Sequence, residues 1–466
     1  MTEILKNLCV PGRELDRRGY AIGGVVLMAV KYNLDRLVAG VLFDKPWSVF
    51  QYLNPPGHEA GLVGQPEDAK IFFLTMLALA LPFIYVGVVS TTNRLRDVGL
   101  PRWLVTLFFV PVVNLLLFAA LAILPTRLRE QVEAADAGRG AILEKIVPRS
   151  MVGAAAVGML LVLPPAALLI LLGVNVLGAY GWGIFVGVPF AMGMGAASIY
   201  GFRADRRVWE CVAVGMGAVT LLGLGLIALA IEGIICVAMA APLALVLGAV
   251  GGLVGYFVQR SSVGPGSTQA MLMVLLLALP GIMGFERLEA VKPPLIPLKT
   301  SLEIDAPPEV VWRHVVSFSE LPETDNWLFK AGVAYPKYAK IEGTGVGAVR
   351  HCVFSTGPFV EPITVWDEPR LLKFDVTLQP PAMEEMSPWG KIEAPHLDNY
   401  LVSEGGQFLL TRLPDGRTHL EGTTWYRHHI WPSAYWQVWS DAIIHSIHYR
   451  VLNHVKSLSE ADVKKG

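Results

Sequence analysis

Hydrophobic positions follow two different rules along this 466-residue chain. Through roughly the first 290 residues they come in long unbroken runs. Beyond Lys299 they alternate with polar positions or recur every three to four residues. Crossing the ~30 Å hydrocarbon core of a bilayer takes about 20 helical residues. Runs of that order lie near 19–43, 70–90, 103–124, 150–172, 179–201, 211–231, 233–257 and 271–288. The stretch 211–257 is too long for one span, and Glu232-Gly233 offers a polar, flexible hinge within it. Gly and Ala are frequent in the later runs, as at Gly215, Gly217, Gly223, Gly225 and Gly248 to Gly252. Such small residues predict close helix packing where lipid supplies no drive for association.

The second regime opens with Lys299 to Asp305, which alternates as a strand does. Ala306-Pro307-Pro308 then starts a helix of about three turns. Strand-like runs follow near 346–354, 358–366, 370–378, 406–413 and 418–428. Turn signals separate them at Gly343/Gly345, Glu368-Pro369, Gly405-Gly406 and Asp415-Gly416. A long helix from about Pro432 to Leu458 closes the chain, with Trp436, Trp439, Ile443, Ile447 and Val451 on one face. This order predicts a polytopic α-helical membrane bundle followed by a soluble α+β domain, an antiparallel sheet wrapped on a long C-terminal helix. The expected boundaries are a membrane domain over 1–125, further transmembrane helices over 126–290, a stiff linker over 291–298 with Pro293, Pro294 and Pro297, and the soluble domain over 299–466.

Composition sharpens the division. Overall 53% of residues are hydrophobic and 17% charged, with a mean hydropathy of +0.49, well below the charge content of soluble domains. Between Cys211 and Tyr256 the one charged residue is Glu232. Residues 299–466 carry 16 Lys+Arg against 21 Asp+Glu, so this part is mildly acidic and gives no sign of a nucleic-acid partner. Four scattered cysteines make no disulfide framework. The polar, basic N-terminus reads as no cleavable signal, its first apolar run being long enough to span.

Transport would call for ionisable residues at membrane depth. Lys31, Asp35 and Arg36 in the first run are expected to pair or to lie near an interface. Basic stretches at the N-terminus, at 91–102, at 125–149, at Arg203, Arg206 and Arg207, and at Arg260 predict the cytoplasmic side. They agree if the 103–124 run breaks near Pro111 and Asn114 and returns, which puts the soluble domain on the outer face. Eight full spans with both ends inside is the alternative.

Two resemblances add to this. Pro11-Gly12-Arg13 with Arg17-Arg18, then Arg94-Leu-Arg-Asp-Val-Gly-Leu-Pro-Arg-Trp103 and a Pro-containing run, resemble the bacterial inner-membrane family known as domain of unknown function 805. Coverage is about residues 10–125. Arg96 stands where that family often has His, and its paired Trp is reduced to Trp103. The resemblance implies a bacterial inner membrane and no known reaction. Ile304-Asp-Ala-Pro-Pro-Glu-Val-Val-Trp312 resembles the opening of the polyketide cyclase/dehydrase and lipid-transport group in the START-like, helix-grip superfamily. That resemblance covers about 299–460. It implies a pocket for a hydrophobic ligand between sheet and C-terminal helix, without implying a reaction.

With such a pocket, the aromatic-rich set Trp366, Phe374, Trp389, Trp425, Trp436, Trp439 and Ile443 is the expected ligand-binding surface. The Pro-rich segment Gln379 to Asn399, carrying Trp389, reads either as a lid or as an irregular loop. Nine of ten histidines follow residue 299, His428, His429, His445, His448 and His454 among them. They are expected as surface and capping groups, since no metal-ligand spacing surrounds them. No nucleophile elbow, Walker A loop, dinucleotide fingerprint or triad is present, and Gly343-x-Gly345-x-Gly347 reads as a turn. No cofactor, metal or catalytic residue is therefore assigned. The expected function is a membrane-tethered binder or carrier for an apolar small molecule or lipid. A cyclase- or hydrolase-type enzyme using the same pocket, or a transporter with a regulatory soluble domain, are the alternatives. Polar groups converging in the pocket would favour the enzyme, a wholly apolar pocket the carrier, and a charge-lined path through the bundle the transporter.

Overall fold

The computed structural model describes residues 8–52, 67–110, 112–126, 141–178, 180–260, 278–284, 286, 293–392 and 400–465. The chain divides into two compact units, Met1–Gly225 with Ala240–Val291, and Leu226–Met239 with Lys292–Gly466.

The longer α-helices of the membrane part, among the described residues, are α1 (Arg17–Phe43), α2 (Glu67–Val98), α3 (Val113–Ile123), α4 (Met151–Leu171), α5 (Val188–Tyr200), α6 (Val208–Ala228) and α7 (Ile234–Arg260). Among the described residues, five stretches are long and apolar enough to cross a membrane: Ile71–Val98, Met151–Leu177, Gly183–Tyr200, Val208–Ala228 and Ile234–Arg260. The first expected run is helical but interrupted by charge. Asp35 is fully buried there, and both the Lys31 ammonium and the Tyr52 hydroxyl donate to it. The 103–124 run breaks into a 3-10 helix, Arg102–Phe109, and the 11-residue α3, with Val112 at φ +64° before it. Neither piece reaches the length of a span. The expected run at 271–288 lies largely outside the described residues.

Packing in this part follows the small residues. A Cβ on Gly193 would lie 2.1 Å from the Gly248 carbonyl oxygen, and one on Gly215 would lie 2.5 Å from the same atom. α5 and α6 therefore meet α7 backbone to backbone, as the glycine content predicts. The basic loop behaves differently from its sequence. Arg94, read there as an orientation-setting surface charge, is fully buried. Its Nε donates to the Leu121 carbonyl at 2.9 Å, one Nη to the Leu124 carbonyl, and the other Nη to Thr126 Oγ1 at 2.9 Å. The Leu121 and Leu124 carbonyls are orphan acceptors at the C-terminus of α3, which a buried cation satisfies. Neighbouring motif residues hold the N-terminal segment. Asn93 Oδ1 accepts from Gly12 N at 2.9 Å, Arg96 donates to the Gly12 carbonyl at 2.7 Å, and Asp97 accepts from Leu15 N.

The second unit is built on a curled seven-stranded antiparallel sheet: β1 (Ile296–Ile304), β2 (Pro336–Glu342), β3 (Val349–Phe354), β4 (Gly357–Asp367), β5 (Leu371–Asp375), β8 (Leu401–Arg412) and β9 (Thr418–His428), in the order β1-β9-β8-β5-β4-β3-β2. A separate hairpin pairs β6 (Glu385–Ser387) with β7 (Gly390–Ile392). β1 begins inside the stretch read as linker: Pro297 sits opposite Trp425, on an edge strand where a missing N–H is tolerated. The sequence reading misses β2, a short strand that opens on Pro336. The hairpin predicted at Asp415-Gly416 joins β8 to β9, with Gly416 at φ +89°, a conformation only glycine adopts freely.

Helix α8 (Pro308–Val316) starts on Pro308, which spends no N–H at the first helical position. It buries Val311, Trp312, Val315 and Val316. The long closing helix α9 (Ser433–Lys465) contributes Val451, Leu452 and Val455 to the same core, which also takes Ile304, Leu372, Leu410 and Leu420 from the sheet. Together these give a helix-grip domain following a membrane-associated helical part.

Candidate functional site

Between the sheet and α9 lies a cavity of about 120 Å³. Strand periodicity puts alternate residues of each strand on one face. Arg350, Cys352 and Phe354 of β3 line it together, beside Phe359 and Glu361 of β4 and Phe374 of β5. Ser403 and Phe408 of β8, Gly422 and Thr424 of β9, and Ile444, Ile447, His448, Val451 and Leu452 of α9 complete it. Gly422 leaves space here: a Cβ on it would meet Leu452 and Phe408 at 3.6 and 3.7 Å, ordinary contact distances.

Most of this wall is apolar, but two polar constructions are set into it. Arg350 and Glu361 are direct cross-strand partners in the β3–β4 register and form a buried ion pair. Arg350 Nε donates to the Val316 carbonyl at 3.3 Å, and its guanidinium lies 5.5 Å from each of the Phe318, Phe374 and Phe408 ring centroids. Burial works against the Arg350 charge, but Glu361 and the neighbouring Cys352 together offset it, and the guanidinium is held above its ordinary range. Burial raises the Glu361 carboxyl, with Arg350 pulling it back. The adjacent Cys352 thiol is pushed up to about 12, by burial first and by the Glu361 charge second; it is no nucleophile at neutral pH.

The second construction joins α9 to β1 and β9. His448 Nδ1 meets Thr300 Oγ1 at 2.9 Å and its Nε2 meets Thr424 Oγ1 at 2.7 Å. Thr300 Oγ1 also meets His445 Nδ1 at 2.7 Å. Burial, then the neighbouring His445, lowers His448 to about 4, so it is neutral at physiological pH. The expectation of a surface or capping group fails at His448, and fails further at His428. That ring is 3% exposed, neither nitrogen has a hydrogen-bond partner among the described residues, and burial lowers it to about 4. Among the described residues no group of three His, Cys, Asp or Glu is placed to hold a metal ion.

Of the seven residues expected at the ligand surface, Phe374 lines the cavity. The other six stand elsewhere. Trp366 packs edge-on against Trp312 at 5.6 Å, beside the main core. Trp425 points to the opposite face of β9, where the Lys373 ammonium lies 5.1 Å from its ring centroid. Trp389 is 75% exposed on the β6–β7 turn. Trp436 and Ile443 are buried and Trp439 half-buried, all on the N-terminal half of α9. The predicted helix face is real, but the cavity meets its later turns, at Ile447 and Val451. Sequence reasoning missed Arg350, Glu361, Thr424 and His448. A signal for the first two was present: opposite charges on otherwise apolar faces of two adjacent predicted strands.

Residues 297–392 match the family model described as polyketide cyclase / dehydrase and lipid transport, so the C-terminal part carries a domain of that type. The match does not extend to the N-terminal motifs. No curated protein matches the chain. Among solved structures, a protein from Nitrosospira multiformis is similar at 17% identity, covering 36% of this chain and 99% of its own, with a TM-score of 0.23. A norcoclaurine synthase mutant of Thalictrum flavum, in complex with a transition-state analogue, is similar at 13% identity, covering 36% and 96%, with a TM-score of 0.25. An aromatase/cyclase from Streptomyces sp. R1128 is similar at 14% identity, covering 36% and 96%, with a TM-score of 0.23.

Proposed function

We propose that the C-terminal domain binds a compact, mostly apolar molecule between its sheet and α9, and that the helical part tethers this binding domain to a membrane. The cavity carries this reading: four phenylalanines and four aliphatic residues of α9 leave a space of about 120 Å³. A dry cavity of ~150 Å³ accommodates benzene, whereas drug-sized ligands occupy about 300–1,000 Å³. A single small ring, or the end of a longer molecule, matches this size; a whole lipid does not. The matched family's description includes lipid transport, which agrees with an apolar ligand.

Polar groups do converge on the cavity, which favours a second reading, an enzyme of cyclase or hydrolase type. Their engagements argue for binding. Arg350 and Glu361 are committed to each other, His448 to two threonine hydroxyls, and Cys352 is held as a thiol. General acid–base work calls for a group free to reach the substrate's proton.

The full chain in lipid nanodiscs, probed with 4-fluorobenzamide by ¹⁹F NMR, tests the site. Saturable line broadening is expected, and it should vanish for Gly422→Val, which adds bulk at a position with room for it. Equal binding by the variant would remove this cavity as the site. For localisation we propose a bacterial inner membrane with the soluble domain on the outer face, supported by the Lys/Arg placement and by the N-terminal motif resemblance. A single cysteine at the exposed Ser301 of β1, in a background without other cysteines, should react with an impermeant thiol reagent in spheroplasts. Labelling of a Ser150 cysteine instead would reverse the orientation.

A further inference from the structure

The charges around the cavity cancel. Arg350 and Glu361 are the charged residues in its wall, of opposite sign and paired to each other. Of the other titratable groups in the wall, Cys352 is an uncharged thiol, and His448 has both ring nitrogens occupied by the Thr300 and Thr424 hydroxyls. The Arg350 guanidinium is enclosed further by the Val316 carbonyl and by three aromatic rings. A ligand carboxylate entering this space would meet a cation already neutralised, and would set two carboxylates against one guanidinium. Like charges sharing a site disfavour ionisation of both, and a buried charge without a partner of its own is costly. An uncharged carbonyl, amide or hydroxyl meets no such opposition, and Ser403 and Thr424 place neutral hydroxyls in the wall.

Resting on the binding role above, we propose that the cavity selects by charge: it takes uncharged, ring-sized molecules bearing a neutral polar group and excludes carboxylates, fatty acids included. Arg350 looks at first like an anion receptor, but Glu361 has taken that role from it. The pair then acts as a filter rather than as an anchor.

4-Fluorobenzamide and 4-fluorobenzoate have nearly the same shape and differ by one charge at neutral pH. Titrated by ¹⁹F NMR against the full chain in zwitterionic nanodiscs, with protein-free discs as blank, the amide is expected to bind at least tenfold more tightly. Glu361→Gln frees Arg350 for a ligand anion, and the order should then invert. The wild-type comparison stands alone if that variant does not fold. Benzoate binding wild type as tightly as the amide overturns charge selection while leaving the cavity a binding site. Binding of neither probe overturns the binding site, and charge selection with it.

Discussion

Breaking the Arg350–Glu361 pair from one side should cost far more than removing it whole. Glu361→Leu leaves a guanidinium that is 2% exposed, bonded to one carbonyl and flanked by aromatic rings, with no counter-charge. Losing one partner of a buried pair costs about 3–5 kcal/mol. At roughly 2–4 °C per kcal/mol for a domain of this size, the midpoint should fall by about 6–20 °C. Arg350→Met with Glu361→Leu conserves volume and removes both charges, so its stability should return to within about 1 kcal/mol of wild type, or above it. Since each single variant costs about 3–5 kcal/mol and the double about 1 or less, the coupling energy of the cycle should be at least about 5 kcal/mol, above the usual range for groups in direct contact. Urea unfolding of the full chain in nanodiscs, followed by tryptophan fluorescence, reads this domain, because eight of the twelve tryptophans follow residue 299. Two single variants each within 1 kcal/mol of wild type, or a double variant as unstable as the sum of the singles, would refute the buried-pair account.

His428 and His448 are both held near pKa 4 in the folded domain, against an ordinary value of 6.5. The unfolded chain therefore binds more protons between these values. Stability should therefore be unaffected by these rings' protonation above pH 6.5 and should fall, by as much as about 3 kcal/mol for each ring, as pH drops toward 4; unfolding midpoints measured across that range check it. His428→Leu removes two unpartnered buried nitrogens, so it should raise stability at pH 7 by about 1–3 kcal/mol and flatten the slope, and a destabilised variant would contradict the vacancy of that ring. Gly422→Val should keep or raise the midpoint, since glycine inside a strand costs about 0.5–1 kcal/mol, while abolishing probe binding in the same preparation. In the membrane part, Arg94→Met strips three charge-assisted hydrogen bonds from the end of α3, and should lower the heat-aggregation midpoint in nanodiscs, where Arg102→Met does not.

What the sequence determined on its own are the features set by local periodicity. Most long apolar runs declare candidate spans, because lipid asks for length and internal hydrogen bonding, though the 103–124 run breaks into two pieces shorter than a span. The same holds for the opening at Pro307-Pro308, the Asp415-Gly416 hairpin and the closing helix, whose signals lie within a few residues of the elements they specify. The glycine clusters announced close packing without saying which helices would meet. Tertiary structure alone decided where the cavity lies and what lines it. The face carrying Trp436, Trp439, Ile443, Ile447 and Val451 is legible from spacing, yet which of its turns borders open space depends on how β3, β4, β5 and β8 curl past it. Large aromatics were expected at the cavity because they are apolar; Trp436 and Ile443 are buried instead, while smaller residues, Gly422 above all, leave the room. Arg350 and Glu361 stand 11 positions apart and become a pair through the β3–β4 register, and Arg94 becomes a helix cap only when α3 ends beside it. A charge has no fixed meaning in a sequence, since its energy depends on the partner and the dielectric that folding brings to it.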